Sequence, residues 1–190
     1  VSFLFIQSHI NFNSMDLYLI RHTSVDVPAG YSYGQTDVPL RETFEAEAAT
    51  VKEELNKIAA DKVYTSPLSR CVRLATYCGF EDAWKDDRIK ELNFGSWEMK
   101  SWDEVSNHPH SEAWFKDWIH VPTPGGESFK DQYNRVASFL DEIRSCNDNT
   151  VFVFAHGGVL ACAQVYAGIY EMSEAFKHLP SYGEIIKLTL

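Results

Sequence analysis

Positive charge is scarce in this chain. Its 190 residues hold 17 Lys and Arg against 27 Asp and Glu, a formal net charge of −10. A surface so biased repels polyanions, so neither a nucleic acid nor an anionic membrane is expected as a partner. Long apolar runs are missing too. Phe3-Leu4-Phe5-Ile6 is far too short to span a bilayer, no Lys or Arg precedes it, and no small-residue cleavage site follows. Met15 stands directly before the first clear strand, so residues 1–14 read as an extension and 15–190 as a single domain. Metal-ligand spacing is absent: Cys71, Cys78, Cys146 and Cys162 form no C-x-x-C pair and no His/Cys set. No metal and no cofactor are expected, and reduced thiols in a cytoplasmic setting are. Internal repeats and low-complexity segments are lacking as well.

What is present is a stretch that changes character abruptly. Leu17-Tyr18-Leu19-Ile20 is apolar throughout, as suits a strand buried on both faces, and it ends in Arg21, His22 and Thr23. Ligands of open α/β sheets bind beyond the carboxyl ends of the strands. Thr150-Val151-Phe152-Val153-Phe154-Ala155 repeats the pattern and ends in His156, Gly157 and Gly158. Between them, Lys62-Val63-Tyr64-Thr65 reads as a strand that leads into Ser66-Pro67-Leu68-Ser69-Arg70. Here Ser66 suits an N-cap and Pro67 the first turn of a helix that stops at Gly79, which puts Arg70 close to a strand end. By local pattern alone, an exposed helix face is the more common place for an arginine such as Arg70.

Residues 23–39 form a turn-rich loop that contains Tyr31, Tyr33, Gln35 and Thr36. Glu42 to Ala60 has helical composition, Asp87-Arg88-Ile89 reads as a short strand, and Ser128 to Arg144 has the apolar spacing of an amphipathic helix. Gly183 to Leu190 reads as a final strand, at the sheet edge. Residues 101–127 read as a small helical cap, in which Trp114 and Trp118 share one helical face. The loop Glu91-Leu92-Asn93-Phe94-Gly95-Ser96-Trp97-Glu98 carries two carboxylates, either of which could serve as a general acid. The alternation of strands and helices predicts an α/β fold, a three-layer α/β/α sandwich on a mostly parallel sheet.

Arg-His after the first strand, Ser-Pro-Leu-x-Arg, Glu before Phe-Gly-x-Trp-Glu and a late His-Gly-Gly occur here in one order over most of the chain. In this the chain resembles the histidine phosphatase (phosphoglycerate-mutase-like) superfamily. Within it the likeness is nearest to the α-ribazole phosphatases of cobalamin synthesis, carried by residues 34–40, 91–99 and 122–128. Two departures stand out. Thr23 replaces the glycine that usually follows Arg-His, and Phe44 or its neighbours stand where the family often has a glycine.

The resemblance implies a phosphomonoesterase in which His22 becomes phosphorylated. Arg21, Arg70 and His156 surround the phosphoryl group, and Glu91 is the acid that protonates the leaving alkoxide; Glu98 is then structural or substrate-facing. Thr23, Gln35, Thr36 and Gly157 are the further candidates for substrate contact. The expected partner is a small phosphorylated metabolite, and the expected state is a monomer or a homodimer. The same residues also suit a broad-specificity phosphomonoesterase, and less well a phosphoglycerate mutase. A catalytically idle phosphoester-binding protein is the alternative from another class.

Overall fold

The computed structural model describes residues 14–190; of the expected extension, all but Ser14 lies outside the described residues. Five strands form one sheet: β1 (Asp16–Arg21), β2 (Lys62–Thr65), β3 (Trp84–Lys85), β4 (Thr150–Ala155) and β5 (Ile185–Thr189). Their spatial order is β3-β2-β4-β1-β5. All neighbours run parallel except β5, which closes one edge antiparallel to β1.

The helices are α1 (Phe44–Leu55), α2 (Ser69–Tyr77), α3 (Trp102–Ser106), α4 (Ser111–Lys116), α5 (Phe129–Arg144) and α6 (Gly157–Tyr166). Side chains alternate across a strand, and the two faces of the sheet feed two cores. Leu17, Leu19, Val151, Val153 and Ala155 pack with the apolar residues of α5 and α6. Ile20, Phe152 and Phe154 pack with those of α1 and α2. The result is the expected three-layer α/β/α sandwich.

The register of β1 on β4 matters most for function. Arg21 pairs with Ala155, and the His22 amide donates to the Ala155 carbonyl at 3.0 Å. Each chain then leaves the sheet at a histidine, so His22 and His156 emerge side by side. Neighbouring β2 ends at Thr65, and α2 starts four residues later.

Three local expectations need correction. Asp87–Ile89 is a 3-10 turn instead of a strand; the Asp86 carboxylate accepts from the Arg88 amide and caps it, and the third strand lies just before, at Trp84–Lys85. Ser66 does not cap α2. Leu68 occupies that position, and the Ser66 hydroxyl is turned to His156. Trp114 and Trp118 do not share a helix, because α4 ends at Lys116. Trp114 packs on Trp97 and Trp102 (ring centroids 5.5 and 5.9 Å), whereas Trp118 packs on Phe129 and Phe176. Gly79 does end α2 as expected, at a φ of +96° that favours glycine.

Candidate active site

His22 and His156 are both buried at the carboxyl edge of the sheet, with ring centroids 5.2 Å apart. Their nitrogens are committed differently. His22 Nδ1 lies 2.7 Å from the Thr23 carbonyl and donates to it. That bond places the proton on Nδ1 and leaves Nε2 with its lone pair, the arrangement a nucleophile requires. His156 has both nitrogens engaged. Arg70 Nε donates to Nδ1 at 3.3 Å, and Nε2 lies 2.8 Å from the Ser66 hydroxyl. Burial and the nearby Arg70 guanidinium hold both imidazoles well below their usual titration range. Without an anion in the site, each ring is neutral at pH 7.

Arg70 is fully buried, which settles the choice left open by its helix position. Besides His156 it donates to the Thr36 carbonyl at 3.0 Å and to the Gly34 carbonyl at 2.6 Å. A planar fork of this kind fixes the loop and the imidazole relative to each other, which a lysine would not do. Arg21 donates to the Pro180 carbonyl and lies 4.1 Å from the centre of the Tyr182 ring, while its Nε is buried with no partner among the described residues. Gly157 leaves room for this guanidinium: a Cβ there would come within 3.3 Å of its central carbon. Tyr182 also packs beside His22 (5.5 Å between centroids), and its hydroxyl is 2.9 Å from that of Tyr33. The sequence reading missed Tyr182 because it sits in a plain turn, and only the antiparallel entry into β5 brings it over the site.

Glu91 faces the same space from the loop before Phe94. Its Oε1 accepts from the Leu92 amide (2.9 Å) and from Gln132 Nε2 (2.9 Å), and its Oε2 from the Gly158 amide (3.2 Å). The backbone that carries it is held by Arg135, which is paired with Glu127 and donates to the carbonyls of Arg88, Lys90 and Glu91. Glu98 points elsewhere. Its carboxylate accepts from the amides of Gln35, Thr36 and Phe94 and from the Thr36 hydroxyl, so it pins the two loops together. Of the two carboxylates left open by the motif, Glu91 is therefore the one placed to meet a ligand.

Gln35 and Thr36 are tied to residues of the site but are not among those that line its pocket. Gln35 donates its amide to the Glu91 carbonyl at 3.0 Å, and the Thr36 carbonyl accepts from Arg70. The Thr23 hydroxyl is buried with no partner among the described residues.

A pocket is lined by Arg21 and Glu91 together with Tyr31, Phe94, Trp102 and Phe176. Arg21 is the only positively charged residue among those described that line it. Among the described residues, no group of three His, Cys, Asp or Glu converges as a metal site would, and no helix is long and apolar enough to cross a membrane.

The sequence profile of the histidine phosphatase superfamily (branch 1) matches residues 17–190. The chain belongs to that superfamily. Phosphoserine phosphatase 1 of Hydrogenobacter thermophilus is 34% identical over 151 residues, which cover 74% of this chain and 70% of that protein. A probable phosphoglycerate mutase of Serratia proteamaculans is 28% identical over 158 residues, 78% of this chain and 72% of the other. Among solved structures, a putative α-ribazole-5′-phosphate phosphatase from Escherichia coli superposes with a TM-score of 0.84 at 24% identity, covering 93% of this chain and 91% of that one. A mycobacterial glucosyl-3-phosphoglycerate phosphatase gives 0.81 at 21%, covering 93% and 90%. These histidine phosphatase relatives carry both phosphatase and mutase names, and the two solved structures share the fold of this chain.

Proposed function

We propose that the chain is a phosphomonoesterase that works through a phosphohistidine on His22, and that its substrate is α-ribazole 5′-phosphate. The observation that carries the chemistry is the state of the His22 ring, with Nδ1 tied to a carbonyl and Nε2 without a partner among the described residues. In the first step the Nε2 lone pair forms a bond to phosphorus, the ester P–O bond breaks, and the departing oxygen takes a proton from the Glu91 carboxyl. In the second step the Glu91 carboxylate takes a proton from water, the resulting hydroxide attacks phosphorus, and the P–N bond electrons return to His22. Arg21, Arg70 and His156 carry the charge that spreads over the equatorial oxygens. A bound phosphate favours the imidazolium form of His156, reversing its neutral resting state. No metal has a part in either step.

The substrate assignment is supported by the pocket beside Glu91. An ester with a flat, benzimidazole-like base fits a wall of Tyr31, Phe94 and Trp102. A phosphoglycerate or phosphoserine brings a carboxylate, for which the pocket provides no cation beyond Arg21. The free cysteines suit a reducing, cytoplasmic setting.

The deciding experiment is kcat/KM on α-ribazole 5′-phosphate beside simple alkyl phosphates, phosphoserine and 3-phosphoglycerate. A preference of roughly 10²-fold or more, equivalent to about 2.7 kcal/mol of differential binding in the transition state, is expected. A flat profile would leave the phosphohistidine chemistry and remove the substrate assignment.

A further inference from the structure

Gln132 lies on the buried face of α5, among Phe129, Val136, Phe139 and Leu140, and is itself fully buried. An apolar residue would serve the helix better there, since a buried amide must have its polar atoms satisfied. Only half of this one is. Its Nε2 donates to Glu91 Oε1 at 2.9 Å, and its carbonyl oxygen has no partner among the described residues. The space for the contact is kept by Gly158 at the start of α6, where a Cβ would overlap both the Glu91 carboxylate and the Gln132 amide.

We infer that Gln132 is a positioning residue for proton transfer by Glu91, an inference that rests on Glu91 being the acid. Glu91 has three partners. The amides of Leu92 and Gly158 can only donate, so neither can accept from a protonated oxygen of the carboxyl group. Gln132 has both functions on one group. As placed, it donates to the carboxylate. Turned over about its last bond, it presents the unpartnered carbonyl to a protonated oxygen of the same carboxyl group. A residue that alternates between acid and base in each turnover needs its orientation held in both states. Of its side-chain and backbone partners, Gln132 alone meets that requirement, and a small displacement of a proton donor is costly to rate.

The dependence on leaving group tests this. A poor leaving group, the alkoxide of an alkyl phosphate, must be protonated as it departs. The dinitrophenolate of 2,4-dinitrophenyl phosphate need not be. Single-turnover phosphorylation of His22 is to be measured with both esters in the parent protein, Glu91→Gln and Gln132→Met. Gln132→Met is expected to slow transfer from the alkyl ester by roughly 10- to 100-fold and from the dinitrophenyl ester by less than about 3-fold, a weaker copy of the Glu91→Gln pattern. The dinitrophenyl ester doubles as the check that the variant is folded. If Gln132→Met fails that check, Gln132→Asn, which withdraws the amide by one methylene, is expected to give the same selective loss. Equal losses on both esters, or none, with Glu91→Gln still selective, would overturn the role of Gln132 and leave Glu91 as the acid. Absence of selectivity in Glu91→Gln would overturn the acid assignment and the inference together.

Discussion

The ends of β1 and β4 are nearly the same in sequence and different in chemistry. Each is a buried apolar strand that terminates in a histidine, and the parallel register sets the two rings 5.2 Å apart. Yet His22 has one nitrogen tied to the carbonyl of its own neighbour, Thr23, while His156 has its two nitrogens shared between a side chain of α2 and the serine before it. A ring with a free lone pair can attack. A ring bracketed by Arg70 and Ser66 is held still and has no lone pair free to attack; it becomes a donor to a phosphate oxygen once it takes up a proton and Arg70 Nε releases Nδ1. The division of labour proposed for the two histidines thus rests on their hydrogen-bond partners and not on strand or burial, which they share.

The comparison breaks most sharply on removing the rings one at a time. His22→Ala is expected to abolish trapping of labelled phosphate on the protein and to lower kcat/KM by at least ~10⁴-fold, as loss of a nucleophile does. His156→Ala is expected to retain a trappable phosphoenzyme while slowing its formation by roughly 10²–10³-fold, the scale of losing one charge-stabilising donor. Quench-flow with labelled substrate reads both. Equal effects would mean that the partner pattern does not assign the roles.

Next in size is the response to pH. Both imidazoles titrate near 6.5 when unfolded and well below it in the fold, through burial and the neighbouring Arg70. The unfolded chain therefore takes up protons that the folded one refuses. The stability tied to these rings is fully present above pH 6.5 and is lost as pH falls from there toward their folded values, at up to about 1.4 kcal/mol per pH unit for each histidine. Denaturant titrations of the ligand-free protein between pH 7.5 and 5 are expected to show that slope, and His156→Gln to reduce it by about half. In the same window kcat/KM should show no acid limb at 6.5, since His22 remains neutral.

The smallest effect sharpens the comparison on one side only. Ser66→Ala removes the hydroxyl partner of His156 Nε2, leaving it only the Cys71 thiol at 3.5 Å, and touches nothing on His22. A loss of about 3- to 10-fold in kcat is expected, matching one neutral hydrogen bond of roughly 1 kcal/mol. The rate at which added hydroxylamine releases the phosphoryl group from His22 should not change.

Legibility varied with how local each signal was. The buried strands were plain because an unbroken apolar run has few other homes, and Arg21, His22 and His156 followed from their ends. Asp87–Ile89 misled because three residues around an apolar centre fit a strand or a 3-10 turn equally, and only the Asp86 cap decides. Ser66 has the composition of an N-cap, but a buried imidazole in need of a partner outweighed the helix end. Gln132 and Tyr182 gave no signal at all: one is a polar residue on an amphipathic helix, the other a tyrosine in a turn.

By itself, the sequence determined the layers, the strand ends and the residue types at the site, because apolar period and turn chemistry act over a few neighbouring positions. Tertiary structure alone decided which nitrogen of which histidine is free, which of Glu91 and Glu98 faces the pocket, and that Gln132 touches Glu91. Apart from the bond of His22 to its neighbour Thr23, those are matters of contact between groups 41 to 90 residues apart in the chain, and only the packing of α2, α5 and two loops around the carboxyl ends of β1 and β4 brings them within bonding distance.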